Sequence, residues 1–233
     1  MTVYEAFCGI GGFSLGFKNA GFKIVGGCEI DEAASQIYTS RFGITPERDI
    51  RETTSINGAD VLCGGFPCQD ISVCNLGEGI SGSRSSLWKE LNRIISICRP
   101  RWVILENVPA LVFRGLEVVL SDLAQSGYDA EWDCLPASAF GAPHQRDRIW
   151  IVAYPDGESV RKKHIHESRR ELSPFVGPSS ETFWTKTKPP IFGVGHGFPG
   201  ESYRCLGNAI IPQIAEWIAH RIKEIEMMEG PTK

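Results

Sequence analysis

A cysteine stands in a setting that favours nucleophilic chemistry. Cys68 lies in the segment GGFPCQ, residues 64–69, directly after the predicted strand 60–63. The two glycines remove steric bulk, and Pro67 stiffens the approach to the thiol. A thiol at the carboxyl end of a strand is a nucleophile when its thiolate is stabilised. The alternative is a buried structural cysteine.

A glycine-rich turn near the start of the chain is the second candidate. The segment FCGIGGF, residues 7–13, follows a predicted strand and opens a predicted helix. Such a turn lets backbone approach a ligand closely, with helix N–H groups facing it. Glu29 lies 20 residues after Gly9 at the end of the next predicted strand, where an acid often binds a ribose hydroxyl. The strict dinucleotide fingerprint is absent, so a nucleotide or nucleoside site and a structural turn both stay open.

The elements that must position these residues alternate along the chain. Short apolar runs predict strands, and segments with apolar residues three or four apart predict helices. Strands alternating with helices predict an α/β fold, a doubly wound, mostly parallel sheet with helices on both faces. The predicted strands are Val3–Phe7, Ile24–Glu29, Asp60–Cys63, Trp102–Leu105, Tyr128–Cys134 and Arg148–Ala153. The predicted helices are Phe13–Ala20, Asp31–Arg41, Leu87–Cys98, Leu116–Gln125 and one on the stripe Ile211, Ile214, Ile218, Ile222, Ile225.

Composition limits the classes of protein. The 233 residues are 42% hydrophobic and 22% charged, which is ordinary for a globular chain with one core and a small second domain. No apolar run approaches the roughly 18 residues of a membrane span, and the first residues lack a secretory signal. We therefore expect a cytoplasmic protein. The eight cysteines contain no C-x2-C pair, so we expect no metal site, and most of them fit a buried structural role.

Charge and composition divide the chain. Residues 1–153 and 201–233 are predicted to form one domain, and residues 154–200, rich in Pro, Gly, Ser and charge, a small irregular insert. The net charge of −4 argues mildly against nucleic-acid binding over the whole surface. Residues 141–190, however, hold nine Lys and Arg against six acids, so phosphate contacts are expected there. The alternative is a solvated charged loop.

The motifs together resemble those of the DNA (cytosine-5) methyltransferase family, in the family's order and over nearly the whole chain. Besides the glycine-rich turn and GGFPCQDIS (64–72), the chain has Asp49-Ile50, the motif ENV (106–108), Arg146-x-Arg148 and GNA (207–209). The resemblance implies a class I, Rossmann-like methyltransferase domain with a small target-recognition domain. It also implies an enzyme that transfers a methyl group from S-adenosyl-L-methionine to C5 of a flipped-out cytosine in double-stranded DNA. The resemblance further implies a role in restriction-modification and a bacterial or phage source.

The resemblance assigns catalytic roles to four residues. Cys68 adds to C6 of the cytosine, and Glu106 stabilises charge at the N3/N4 edge. Arg148 contacts the cytosine O2, and Arg146 contacts a phosphate or Glu106. The base that removes the C5 proton is not identified. The segment Asp70–Arg84 is expected to close over the base.

The resemblance also assigns binding residues. Glu29 matches the ribose-binding acid, and Asp49 and Ile50 match the pair that meets the adenine by hydrogen bond and by packing. The implied cofactor residues are Phe7, Gly9, Ile10, Gly11, Gly12, Glu29, Ile30, Asp49, Ile50, Pro67, Leu87, Asn208 and Ala209. The implied DNA-binding residues are Gln69, Ser72, Arg84, Arg161, Lys162 and Lys163. We expect a monomer with no metal and no membrane partner.

Three features depart from the family pattern, and two other functions stay open. Ile30 replaces an aromatic residue, His144 stands where the family often has Gln, and the target-recognition region is short, which favours a short recognition site. An RNA (tRNA) cytosine-5 methyltransferase shares the motifs. A catalytically inactive DNA-binding relative is the alternative from another class, and the intact Cys68, Glu106, Arg146 and Arg148 argue against it.

Overall fold

The structure is a computed structural model that describes residues 1–67, 86–142, 144–157 and 209–229. Six strands form one sheet in these ranges. The strands are β1 (Thr2–Ala6), β2 (Lys23–Cys28), β3 (Val61–Gly65), β4 (Trp102–Asn107), β5 (Tyr128–Pro136) and β6 (Asp147–Pro155). Their order in the sheet is β2-β1-β3-β4-β6-β5.

Helices connect and cover the strands. They are α1 (Gly12–Asn19), α2 (Glu32–Phe42), α3 (Ser86–Cys98), α4 (Leu111–Arg114), α5 (Leu116–Gln125) and α6 (Pro212–Glu229), with a 3-10 helix at Ala137–Phe140. All the predicted strands and helices are present, with ends displaced by a few residues. Helix α4 and the 3-10 helix were not predicted, because four residues are too few to show a helical period.

The direction of one strand departs from the others. Strands β2, β1, β3 and β4 are parallel neighbours, whereas β6 pairs antiparallel with both β4 and β5. A short connection with the 3-10 helix joins β5 to β6, and without a crossover helix two sequential neighbours run antiparallel. The prediction of a mostly parallel sheet is confirmed.

Both faces of the sheet are buried, because successive side chains of a strand point to opposite faces. All six residues of β4 are buried. One face packs on α1 and α6, and the other packs on α3 and α5. In α6 the predicted stripe covers the first of these faces: Ile214, Ile218, Ile222 and Ile225 are each at most 4% exposed, and Ile211 is half-buried.

Three details refine the expectations. Strand β6 continues to Pro155, so Tyr154 and Pro155, which we assigned to the insert, pair with β5. Of the cysteines in the described ranges, Cys8, Cys28 and Cys63 are buried as expected, whereas Cys98 is half-buried and Cys134 exposed. None of the described helices combines the length and the apolar composition of a membrane span.

Candidate active site

An ion pair joins β4 and β6 at the edge of the sheet where the parallel strands end. Arg148 Nε lies 3.0 Å from Glu106 Oε1. Because β6 runs antiparallel to β4, the first residues of β6 lie beside the last residues of β4. The reversed strand therefore brings the R-x-R segment to the ENV segment. Arg148, to which the resemblance assigned the cytosine O2, thus pairs with Glu106. For Arg146 the resemblance left a phosphate or Glu106 open, and its role stays a prediction.

Burial shifts the pKa of this carboxyl. Glu106 is 9% exposed, and burial raises its pKa, an effect that Arg148 and Arg146 oppose without cancelling. Burial and the charge of Arg148 lower the pKa of Arg146, so both arginines belong to the electrostatics of one site. A raised pKa makes it easier for the carboxyl to take up a proton that it can then share with a ring nitrogen.

The chain that leads to Cys68 is fixed against the same strand. Gly65 is the register partner of Glu106, and a Cβ on Gly65 would lie 3.0 Å from Glu106 Oε2. Asn107 Nδ2 donates a hydrogen bond to the Phe66 carbonyl at 3.1 Å, and the buried Phe66 ring packs on Trp88. The described chain reaches Pro67, one residue before Cys68. Gly65 therefore removes bulk as predicted, whereas we did not foresee the role of Asn107; its position beside Glu106 was the available signal.

The predicted cofactor acid bridges the ends of β1 and β2. Glu29 Oε2 accepts a hydrogen bond from the Gly9 N–H at 2.7 Å, and Oε1 accepts one from the Asp31 N–H at 2.8 Å. Gly9 has a positive φ of 52°, and a Cβ there would meet nothing within 4 Å. The turn is therefore open at Gly9, beside a half-buried carboxylate with a fixed orientation.

At the next two glycines of the turn, a side chain is excluded by the rest of the chain. A Cβ on Gly11, whose φ is +84°, would collide with the Phe42 ring, and a Cβ on Gly12 would lie 2.5 Å from Ile210 Cγ1. At these two positions the group that approaches the backbone closely is another part of the chain and not a ligand. Ile10 is also turned inward, 7% exposed, in a small apolar cluster with Ala34. Of these four residues, only Gly9 opens on free space.

The turn that carries Asp49 lies beside the end of β2. Glu47 forms a parallel bridge with Cys28, which places the following residues next to Glu29. Asp49 accepts hydrogen bonds from the Arg51 side chain at 2.6–3.0 Å, and these hold the pKa of that carboxyl at about 2. Ile50 is 3% exposed and belongs to the core, whereas Ile30 is 64% exposed.

A buried acid beneath the glycine-rich turn was not predicted. Glu5, the penultimate residue of β1, is 2% exposed and accepts hydrogen bonds from the Phe13 and Ser14 N–H groups at 3.2 and 2.8 Å. It thus binds the free N–H groups at the start of α1. Burial raises its pKa to about 7. The available signal was an acid inside an otherwise apolar strand.

The remaining predicted residues divide into two groups. Phe7 and Leu87 are half-buried against the core, Ala209 packs in the cluster of Ile10, Pro67 is exposed, and His144 is exposed. Several predicted residues lie outside the described ranges, namely Cys68, Gln69, Ser72, Arg84, Arg161, Lys162, Lys163 and Asn208. Their roles stay predictions, as does the separate insert.

The described candidates converge on one edge of the sheet. Gly9 follows β1, Glu29 follows β2, Pro67 follows β3 and Glu106 is the penultimate residue of β4, and these four strands are parallel. In open α/β sheets, ligands bind outside the carboxyl ends of the strands. The edge therefore combines an open turn with a fixed carboxylate at one end and a buried acid with two arginines at the other.

Known proteins are similar to this chain in sequence. The family model of the C-5 cytosine-specific DNA methylases matches residues 1–189. Type II methyltransferase M.BanI of Aneurinibacillus aneurinilyticus is 37% identical over an alignment of 240 positions, which covers 97% of this chain and 54% of M.BanI. Type II methyltransferase M.HhaI of Haemophilus parahaemolyticus is 33% identical over 178 residues, 74% of this chain and 54% of its own. The chain thus spans about half the length of these relatives.

Solved structures share the fold. The Entamoeba histolytica methyltransferase EhMeth superposes with a TM-score of 0.58 at 21% identity, covering 66% of this chain and 52% of that one. The S. pombe Dnmt2 methyltransferase gives a TM-score of 0.56 at 20% identity, covering 68% of this chain and 50% of that one. The resemblance first drawn from the motifs is confirmed by the match to residues 1–189. The chain belongs to the C-5 cytosine-specific DNA methylase family.

Proposed function

We propose that this protein methylates C5 of cytosine in double-stranded DNA, with Cys68 as nucleophile. The Glu106–Arg148 pair carries the proposal, because it puts a buried carboxyl of raised pKa beside the strand that leads to Cys68. The names of the relatives, Type II methyltransferases, support a role in restriction-modification. The monomeric state and the cytoplasmic location stay predictions from the sequence.

The first half of the reaction activates the base. A stacked cytosine is out of reach, so the target must be flipped out of the duplex. The Cys68 thiolate forms a bond to C6 while N3 takes a proton from Glu106, and the C5–C6 double-bond electrons become available at C5. Arg148 has further N–H groups besides the one that contacts Glu106, and these can donate to the cytosine O2.

The second half transfers the methyl group and restores the ring. Members of this family generally use S-adenosylmethionine, which when bound supplies an electrophilic methyl group to C5. A base then removes the C5 proton, the C5–C6 double bond returns as Cys68 leaves as thiolate, and the proton on N3 returns to Glu106. Asn107 supports both steps by fixing the Phe66 carbonyl two residues before the thiol.

The cofactor residues fit this donor. Glu29 presents a carboxylate already oriented by two backbone N–H groups, and the free space at Gly9 lies beside it. We assign the ribose hydroxyls to Glu29 and the adenine amine to Asp49, with the exposed Ile30 as an apolar contact. Phosphate contacts of the DNA are assigned to Arg161, Lys162 and Lys163 on charge alone.

A covalent trap tests the mechanism. DNA carrying 5-fluorocytosine has no C5 proton to lose, so the enzyme should stay attached to it in the presence of S-adenosylmethionine. We expect a denaturant-resistant adduct with the wild type, none with Cys68→Ala, and an unchanged yield with Cys134→Ala, which removes an exposed thiol of β5. The lack of an adduct with the wild type, or an undiminished one with Cys68→Ala, would refute the proposal. The same trap in RNA tests the RNA alternative.

A further inference from the structure

The turn that carries Asp49 and Ile50 depends on contacts from outside itself. Residues 50–52 form an irregular turn closed by one backbone hydrogen bond, from the Glu52 N–H to the Asp49 carbonyl at 2.9 Å. A single turn of this kind does not hold its conformation in isolation. The buried Ile50 side chain anchors one side of it in the core, together with Leu91 of α3.

An arginine of α3 holds the backbone of this turn. Arg93 Nη2 lies within hydrogen-bond distance of three carbonyl oxygens, those of Ile50 at 3.2 Å, Arg51 at 3.3 Å and Thr53 at 3.1 Å. Its Nε donates to Glu90 Oε2 at 2.7 Å, one helical turn earlier. The Glu90 contact fixes the guanidinium, and a charged donor makes stronger hydrogen bonds than a neutral one.

The same turn orients the Asp49 carboxylate. The Arg51 backbone N–H and two of its side-chain N–H groups donate to this carboxylate. These donors make four contacts, two with each carboxylate oxygen, because the Arg51 Nε–H is shared between Oδ1 and Oδ2. The direction of the carboxylate is therefore set by the turn, and the place of the turn is set by Arg93.

We propose that Arg93 is a positioning residue for adenine recognition, with Glu90 as its support. The proposal rests on the proposed function, because the adenine contact of Asp49 is part of it. Arg93 does not touch the ligand; it keeps the Asp49 carboxylate where a 6-amino group can donate to it. Loss of Arg93 should therefore reduce the preference for adenine over hypoxanthine, which carries an oxygen at position 6.

Calorimetric binding to the full chain tests this with two ligands, S-adenosylhomocysteine and its inosine analogue. For Arg93→Gln we expect the Kd of S-adenosylhomocysteine to rise about tenfold and the Kd of the inosine analogue to rise less. The ratio of the inosine analogue's Kd to that of S-adenosylhomocysteine should therefore fall. Arg93→Lys should give intermediate values. The matched control is Arg221→Gln, which breaks an Arg–Glu pair of similar spacing on α6 and should change neither Kd.

The outcomes separate the inference from the proposed function. No binding of S-adenosylhomocysteine to the wild type would contradict the proposed function itself. Wild-type binding with an unchanged ratio in Arg93→Gln, whether or not both affinities fall, would overturn the positioning role. Thermal unfolding checks that the variants fold, and if Arg93→Gln does not, the ratio in Arg93→Lys decides in the same way.

Discussion

Glu106 and Arg148 meet because their strands run in opposite directions. Their side chains are 3.0 Å apart although the residues are 42 positions apart in the chain, since the start of β6 lies beside the end of β4. The pair joins the end of β4 to the start of β6 at the edge of the sheet where the candidate site lies. It also leaves Glu106 with a raised pKa while an opposite charge is in contact, because burial outweighs the ion pair.

The acid role of Glu106 predicts a loss of turnover with binding retained. Glu106→Gln removes the proton that N3 receives but keeps the shape of the side chain. We expect methyl transfer in a single turnover to fall about 100-fold or more, with the Kd of S-adenosylhomocysteine unchanged. Glu117→Gln, an exposed acid of α5, is the control. A fall of less than about threefold would exclude Glu106 as the acid.

Asn107 is predicted to act through the path to Cys68. Its Nδ2 donates to the Phe66 carbonyl, and its Oδ1 accepts from the Val108 N–H at 2.8 Å. Asn107→Asp keeps the acceptor and loses the donor, so it isolates the Phe66 contact. We expect adduct formation with 5-fluorocytosine DNA to slow about tenfold or more, at unchanged affinity for the cofactor. An unchanged rate would mean that Phe66 does not position the thiol.

Glu5 predicts a pH dependence of stability. Its pKa is about 7 in the folded protein and near 4.5 in the unfolded chain. Between these pH values the unfolded chain binds fewer protons, so the free energy of unfolding falls as pH rises, by on the order of 3 kcal/mol in total. Denaturant titrations at pH 4.5–7.5 should show this slope in the wild type and a flatter one in Glu5→Gln. Parallel profiles would contradict the assignment to Glu5.

Two glycines of one turn should respond differently to alanine. Gly11→Ala adds a methyl group against the Phe42 ring at a positive φ, so we expect a loss of stability of several kcal/mol, on the order of 3. Gly9→Ala meets free space and carries only the backbone cost, about 1 kcal/mol. Gly9→Ala should instead weaken cofactor binding. Chemical denaturation and calorimetry distinguish the two, and equal stability losses would contradict this division.

Much of the fold could be predicted because its signals are local. The run Trp102–Leu105 is continuously apolar, as a strand buried on both faces must be, and the isoleucines of α6 keep one helical stripe. Strand direction has no such local signal. The antiparallel course of β6 follows from the connection it makes, so the ion-pair partner of Glu106 could not be assigned from the motif.

The candidate site, too, could be predicted only where the signal is local. Residue type and neighbouring motif were enough to predict Cys68, Glu106 and Glu29 as candidate site residues. Contacts between distant parts of the chain could not be predicted in this way. Gly12 packs on Ile210, almost two hundred residues later. Arg93 binds a turn some forty residues earlier, and in the sequence it is an ordinary polar residue of an amphipathic helix. Such contacts depend on tertiary packing, which residue spacing does not encode.

The most direct test of the central claim is nucleoside mass spectrometry of DNA incubated with the protein and S-adenosylmethionine. The account predicts 5-methyl-2′-deoxycytidine with the wild type and with Cys134→Ala, and none with Cys68→Ala. A methyl group on the exocyclic N4, methylation of RNA in place of DNA, or equal methylation by Cys68→Ala would contradict it.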